Sequence, residues 1–304
     1  KQSNIKLFGQ PLQRCRAFTH LGHRPRRTAQ ISVMQGLDAV DHRHIRPQSF
    51  QLLEHVLQIG FSQQLGPIPT TAGTGAEVTR NAVIAIPEAN IKVSLRHRSM
   101  IPDSVIVDPI LTLSTPPNIT AATGLDALTQ LIEAFCSKRS HPFTDALCRS
   151  GLTHLAHALE TAYHESDNLT ARSTMAYAAL LSGIALTHVG LGSVHGFAGP
   201  LGGRLGAAHG EICATLLPTA IQTNLQALRE RQPNHPAIAK YDEAATLILN
   251  QPNATHHHLC DWIQQTLIDM RIPTLQQAGL TPDQFMPTLA QAQQATSMQC
   301  NPIE

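Results

Sequence analysis

The sequence predicts two textures in one chain: a short α/β region over residues 51–113, then an all-α domain over 114–304. Three observations predict this. Short β-branched runs at Asn81–Ile86 and Ser104–Val107 suit strands. A loop dense in glycine and threonine, Pro67 to Thr79, separates the first of them from an apolar stretch upstream. Beyond residue 114 apolar residues recur at intervals of three and four, and strand signals nearly vanish.

Taken in order, residues 1–50 show no sustained period. Lys1, Lys6, Arg14, Arg16, Arg24, Arg26, Arg27, Arg43 and Arg46 stand against only Asp38 and Asp41, so this segment is expected to be solvated and poorly folded. Gln51 to Ile59 is expected to form a short helix, with Leu52, Leu53, Val56, Leu57 and Ile59 apolar. The next helix should start with Thr115 as its cap and Pro116 and Pro117 in its first turn. Its apolar face is Ile119, Ala122, Leu125, Leu128, Ile132 and Phe135. Further helices are expected near 143–163, 169–188, 209–230, 236–250 and 255–270. The five glycines between His195 and His209 should interrupt helix there, since each costs about 1 kcal/mol inside one. Such a segment can fold back and bring the two histidines together.

Composition excludes several classes. A chain of 304 residues with 42% hydrophobic content can bury a sizeable core, and a formal charge of +1 carries no strong field. The basic residues near the start have no interleaved aromatics, which argues against nucleic acid as a partner. No apolar run reaches the roughly 20 residues of a membrane span. Six cysteines without a C-x-x-C pair read as reduced, mostly buried thiols of a cytoplasmic protein.

The chemistry-bearing residues are few. Asp126 and Gln130 are four apart on one helix face, one turn from each other. With His195 and His209 they offer a carboxylate, two imidazoles and a weaker amide oxygen, a reasonable set for a divalent first-row metal acting as a Lewis acid. The residues alone leave the alternative open that these groups pair locally. Glu133, seven after Asp126, shares that face and is expected to pair with a cation or hydrogen-bond a ligand, without a catalytic role. His256, His257 and His258 point in different directions on a helix and are expected at the surface. Trp262 is expected to pack in the helical core.

Four blocks occur in order: Pro69-Thr70-Thr71-Ala72-Gly73-Thr74-Gly75-Ala76-Glu77, Gly124-Leu125-Asp126-Ala127-Leu128-Thr129, His195 to Gly203, and Ala208-His209-Gly210. This succession resembles the iron-containing alcohol dehydrogenase family from about residue 66 onward. The resemblance implies a dehydroquinate synthase-like plan. An N-terminal dinucleotide-binding α/β domain, truncated here, would face an all-helical metal-binding domain across a cleft. Asp126, His195 and His209 match family metal ligands. Thr70, Thr71, Gly73 and Thr74 match the loop lining the cofactor, and Lys92 matches a lysine near it. The implied reaction moves a hydride between NAD or NADP and an alcohol, aldehyde or ketone, with Fe(2+) or Zn(2+) bound. A homodimer is implied as well.

The sequence departs from the family in four places. Gln130 stands where many members have a third ligating histidine, and Gly199 where some carry another histidine. No glycine-rich pyrophosphate turn precedes Gly66, where Gly9, Gly22, Gly36 and Gly60 are isolated. Ser297 to Glu304 resembles a run leading into a further short helix. Two alternatives to an active dehydrogenase follow: a catalytically inactive fragment of one, and, less favoured by the Pro-Thr-Thr-Ala-Gly-Thr-Gly block, a lyase like dehydroquinate synthase.

Overall fold

The computed structural model describes residues 67–86 and 91–304, and the backbone of Lys6–Leu7 (β1) paired antiparallel with Gln10–Pro11 (β2). The helix expected at Gln51–Ile59 and the rest of 1–50 lie outside the described residues.

A hairpin stands ahead of the helices. Strand β3 (Asn81–Ile86) pairs antiparallel with β4 (Ile91–Arg96), Asn81 opposite Arg96 and Ile86 opposite Ile91. Lys92 falls in β4 opposite Ala85. Ser104–Val107, expected as a strand, is unpaired among the described residues: Ile106 N–H bonds to the Pro67 carbonyl, at 3.3 Å, and no described strand lies beside this run. β-branched residues favour a pleated surface but form a strand only where a partner strand supplies the ladder.

Eight α-helices follow: α1 (Pro117–Cys136), α2 (Pro142–His164), α3 (Leu169–Val189), α4 (Ser193–Arg204), α5 (His209–Arg231), α6 (Ala237–Leu249), α7 (His256–Asp269) and α8 (Phe285–Gln293). The expected helices agree with α2, α3, α5, α6 and α7 to within a residue or two. Helix α1 starts one residue later than the sequence indicates, with Pro116 rather than Thr115 at the cap. The Thr115 carbonyl is drawn off by Arg172, whose buried guanidinium donates to it at 3.1 Å and to Thr120 Oγ1 at 2.7 Å.

Helix α1 is the axis of the domain. From Thr120 to Cys136 all but Thr123 are buried, so the helix packs on every side, against α2, α3, α5 and α6. A helix surrounded in this way should be apolar all round. This one carries Asp126, Gln130 and Glu133 inside. Buried polar groups persist only when partnered, so this stripe marks where the fold has a use for them.

Helix α4 runs further into the glycine-rich stretch than its composition suggests, although the helix is interrupted before His209 as expected. Four of the five glycines, and Pro200, lie within it, and the break falls later, at Leu205 to Ala208. Val194, Ala198 and Leu201 of α4 are buried, and the helix lies between α5 and α8. Packing of an apolar face supplies most helical stability in proteins and here outweighs intrinsic propensity. His256 likewise departs from the surface reading: it is buried against Asp242, while His257 and His258 are exposed as expected. Trp262 packs partly buried against the core.

Candidate metal centre

Three helices meet at one point. Asp126 projects from the middle of α1, His195 from the first turn of α4, and His209 opens α5. The approach of α5 to α1 depends on Gly210. A Cβ there would lie 1.8 Å from the Ala122 carbonyl oxygen, so only glycine lets the two backbones touch. This contact sets His209 one turn from Asp126.

The ligand atoms converge. Oδ1 of Asp126 lies 3.3 Å from His195 Nε2 and 3.8 Å from His209 Nε2. A fourth group, unmarked by the sequence reading, completes the cluster: Cys213 Sγ is 3.7 Å from His195 Nε2 and 3.6 Å from His209 Nε2. The four donor atoms all lie within 4.8 Å of one another. The signal for Cys213 was present, because it sits four residues after His209 on an expected helix and so shares its face. It was hidden among six unpatterned cysteines.

Glu133 holds His195 in place. Its carboxylate accepts the backbone N–H of Val194 at 2.7 Å and of His195 at 3.4 Å, and lies 2.6 Å from His195 Nδ1. A carboxylate at the positive end of α4 is favoured by the helix dipole. It also accepts from Nδ1, which leaves Nε2 as the ring nitrogen that faces Asp126 and Cys213. Of the two outcomes expected for Glu133, the structure has a hydrogen bond to the candidate ligand His195.

Gln130 is placed differently from the expectation that its amide oxygen faces a metal. Its Oε1 accepts from Ser182 Oγ at 2.7 Å, and its Nε2 donates to Asp126 Oδ2 at 3.1 Å. The reverse orientation would set an amide oxygen against a carboxylate oxygen. Gln130 thus steadies Asp126 and leaves Oδ1 to face the imidazoles.

The electrostatics fit a cation. Asp126 Oδ1 is buried and accepts no hydrogen bond. Burial opposes ionisation of Asp126, yet the closeness of the His195 and His209 imidazoles outweighs it and holds its carboxyl below the usual range. Burial would lower His195, but the neighbouring Cys213, Asp126 and Glu133 outweigh it and raise that pKa well above normal. Burial first, then Asp126 and Glu133, pushes the Cys213 thiol up to about 12. A buried carboxylate oxygen without a donor, two imidazole nitrogens and a sulfur are the donor set of a divalent first-row metal. Access is from one side: the His209 side chain is 39% exposed, that of His195 only 7%.

The glycine–threonine loop lies beside this point. A Cβ on Gly73 would sit 2.6 Å from Thr123 Cβ, so the loop rests on α1 one turn ahead of Asp126. Thr70, Thr71 and Thr74 are exposed along it, and Gly73 is buried. The Lys92 side chain lies outside the described residues, so its backbone position in β4 is all that is placed.

A helical domain in which three helices bring together four side chains able to hold a metal ion, with a small-residue loop against its central helix, is the plan of the described residues. Residues 120–304 match the model of the Fe-containing alcohol dehydrogenase family, C-terminal, and residues 53–109 that of iron-containing alcohol dehydrogenase. The chain belongs to the iron-containing alcohol dehydrogenase family. Choline dehydrogenase of Bacillus subtilis is 34% identical over 219 residues, 72% of this chain and 54% of its own length. The 1-propanol dehydrogenase of Salmonella typhimurium is 42% identical over 173 residues, 55% of this chain and 47% of its own. The chain therefore spans about half the length of the curated relatives it matches. Among solved structures, a 1,3-propanediol oxidoreductase superimposes with a TM-score of 0.70 at 33% identity, covering 78% of this chain and 61% of its own. A sulfoacetaldehyde reductase from Bifidobacterium kashiwanohense, solved with NAD+, does so at 0.68 and 31%, covering 78% and 60%. Among the described residues, no single helix is long and apolar enough to cross a membrane.

Proposed function

We propose that this chain works as a metal-dependent oxidoreductase that moves a hydride between a nicotinamide cofactor, NAD or NADP, and a small alcohol, aldehyde or ketone. The observation that carries the reading is the unsatisfied, buried Asp126 Oδ1 facing two imidazoles in a domain of this family. Asp126, His195 and His209 would hold Fe(2+) or Zn(2+). The ion, when bound, supplies Lewis acidity at the oxygen of the substrate.

The chain's own residues do the rest. Glu133 keeps His195 in the tautomer whose Nε2 carries a lone pair. Gln130 orients the Asp126 carboxylate. The exposed hydroxyls of Thr70, Thr71 and Thr74 and the close backbone at Gly73 suit a ribose or phosphate approaching α1. Lys92 is assigned to the cofactor side by its place in the family pattern. The half-exposed His209 side is the path by which substrate enters and the hydroxyl proton leaves to solvent. A homodimer in the cytoplasm is part of the same reading.

The test is a panel of primary alcohols and diols offered to protein loaded with ferrous or zinc ion, with NAD or NADP, following reduced nicotinamide. Turnover that disappears on chelation and returns on metal readdition supports the reading. Absence of turnover across the panel, with metal confirmed bound, removes it.

A further inference from the structure

We propose that Cys213 is the fourth protein ligand of the metal, bound as a thiolate, in the role that Gln130 does not fill. This rests on the metal reading above and goes beyond it, because the donor is a sulfur and the shell becomes one carboxylate, two imidazoles and one thiolate.

The geometry carries the assignment. Zinc takes sulfur at about 2.3 Å, nitrogen at about 2.0–2.1 Å and carboxylate oxygen at about 2.0–2.2 Å in a tetrahedron. Those bond lengths place sulfur about 3.6 Å from each nitrogen, and nitrogen about 3.4 Å from oxygen. The structure has 3.7 and 3.6 Å for Cys213 Sγ to the two imidazoles, and 3.3 and 3.8 Å for Asp126 Oδ1 to the same atoms. Four of the six donor-atom pairs thus stand within about 0.4 Å of tetrahedral separations, and all six lie within 4.8 Å.

The neighbours agree. Gln130 Oε1 is turned to Ser182 and its nitrogen to Asp126, so no amide oxygen is free to ligate. Cys213 is buried on the inner face of α5, one turn beyond His209, where an apolar side chain would serve if packing were its only task. On binding, the Sγ–H bond breaks, a sulfur–metal bond forms and the proton goes to solvent; nothing is oxidised or reduced. A thiolate biases the site toward thiophilic ions, zinc or cobalt, over harder ones. Substrate then enters as a fifth donor from the His209 side, an expansion that zinc sites make.

The test is anaerobic cobalt(II) titration of the purified full chain, read by absorption. Wild-type protein should bind one cobalt per chain with an intense near-ultraviolet thiolate-to-cobalt charge-transfer band and the strong visible bands of a four-coordinate ion. Cys213→Ser should bind cobalt without that band, and zinc at least ~10-fold more weakly, the lower bound seen for partners one layer further out. Cadmium NMR on wild-type protein gives the same answer without a variant, since a thiolate ligand moves the cadmium resonance far downfield. A band that persists in Cys213→Ser, or cobalt bound by wild-type protein without one, overturns the thiolate assignment and leaves the metal site standing. Failure of wild-type protein to bind cobalt or zinc at all overturns both.

Discussion

Replacing Glu133 with glutamine separates the orientation of His195 from everything else at the site. The change is isosteric, but an amide offers one acceptor and one donor where the carboxylate has two acceptors. Glu133 Oε1 accepts from Val194 N–H at 2.7 Å and Oε2 faces His195 Nδ1 at 2.6 Å. Whichever way the amide turns, its NH2 meets an N–H. The low-cost escape is for the imidazole to move its proton to Nε2, where it occupies the lone pair needed by the metal. Hydrogen bonds to charged groups are worth about 1.5–3 kcal/mol, so the metal-free variant should lose stability of that order. Loss of a partner that orients a ligating histidine weakens metal binding by about 10–100-fold. Competition against a chromophoric chelator reads the affinity, and thermal unfolding with and without zinc reads the stability. Zinc should raise the melting temperature of Glu133→Gln by less than it raises that of wild-type protein. Equal zinc affinity in the two proteins would refute the argument that Glu133 sets the tautomer.

Three further outcomes are expected. Gly210→Ala places a methyl 1.8 Å from the Ala122 oxygen, where a carbon–oxygen contact needs about 3.3 Å, so α5 must retreat by roughly 1.5 Å. Metal–ligand distances tolerate about 0.2 Å, so zinc binding should be nearly abolished while overpacking costs about 1–3 kcal/mol, both read by calorimetry and urea unfolding. Lys240→Met strips the buried Asp145 of a partner at 2.7 Å that also donates to Phe135 O and Ser140 Oγ. Urea unfolding should show a loss of about 3–5 kcal/mol, and the double variant Lys240→Met/Asp145→Asn should lose less than the sum of the two single changes. Asp242 caps α7 through His256 N–H at 2.8 Å; burial opposes its ionisation, but the His256 backbone and ring hold its pKa below the usual range. A lowered folded pKa gives stability that is complete above the unfolded value of about 3.9 and is lost as pH falls through the folded one. Asp242→Asn should therefore be less stable than wild type at neutral pH by roughly 0.3–1 kcal/mol, and the gap should close in acid; a gap that widens in acid would contradict the sign.

Most of the helical domain was legible in the sequence, because local spacing decides which residues share a helix face. The limits of α2, α3, α5, α6 and α7 followed from apolar intervals of three and four, and the juxtaposition of Asp126 with Gln130 from their separation of four. The same rule made Glu133 a neighbour of Asp126 and would have made Cys213 a neighbour of His209. Tertiary structure decided what periodicity does not encode. The direction of the Gln130 amide was set by Ser182 from α3, and the tautomer of His195 by Glu133 from α1. Packing kept α4 helical through its glycines, and among the described residues no strand pairs with Ser104–Val107. The convergence of Asp126, His195, His209 and Cys213 needed α5 to touch α1 at Gly210, a contact between residues 88 positions apart. Intervals along the chain choose a face; only the close approach of two helices chooses what that face meets.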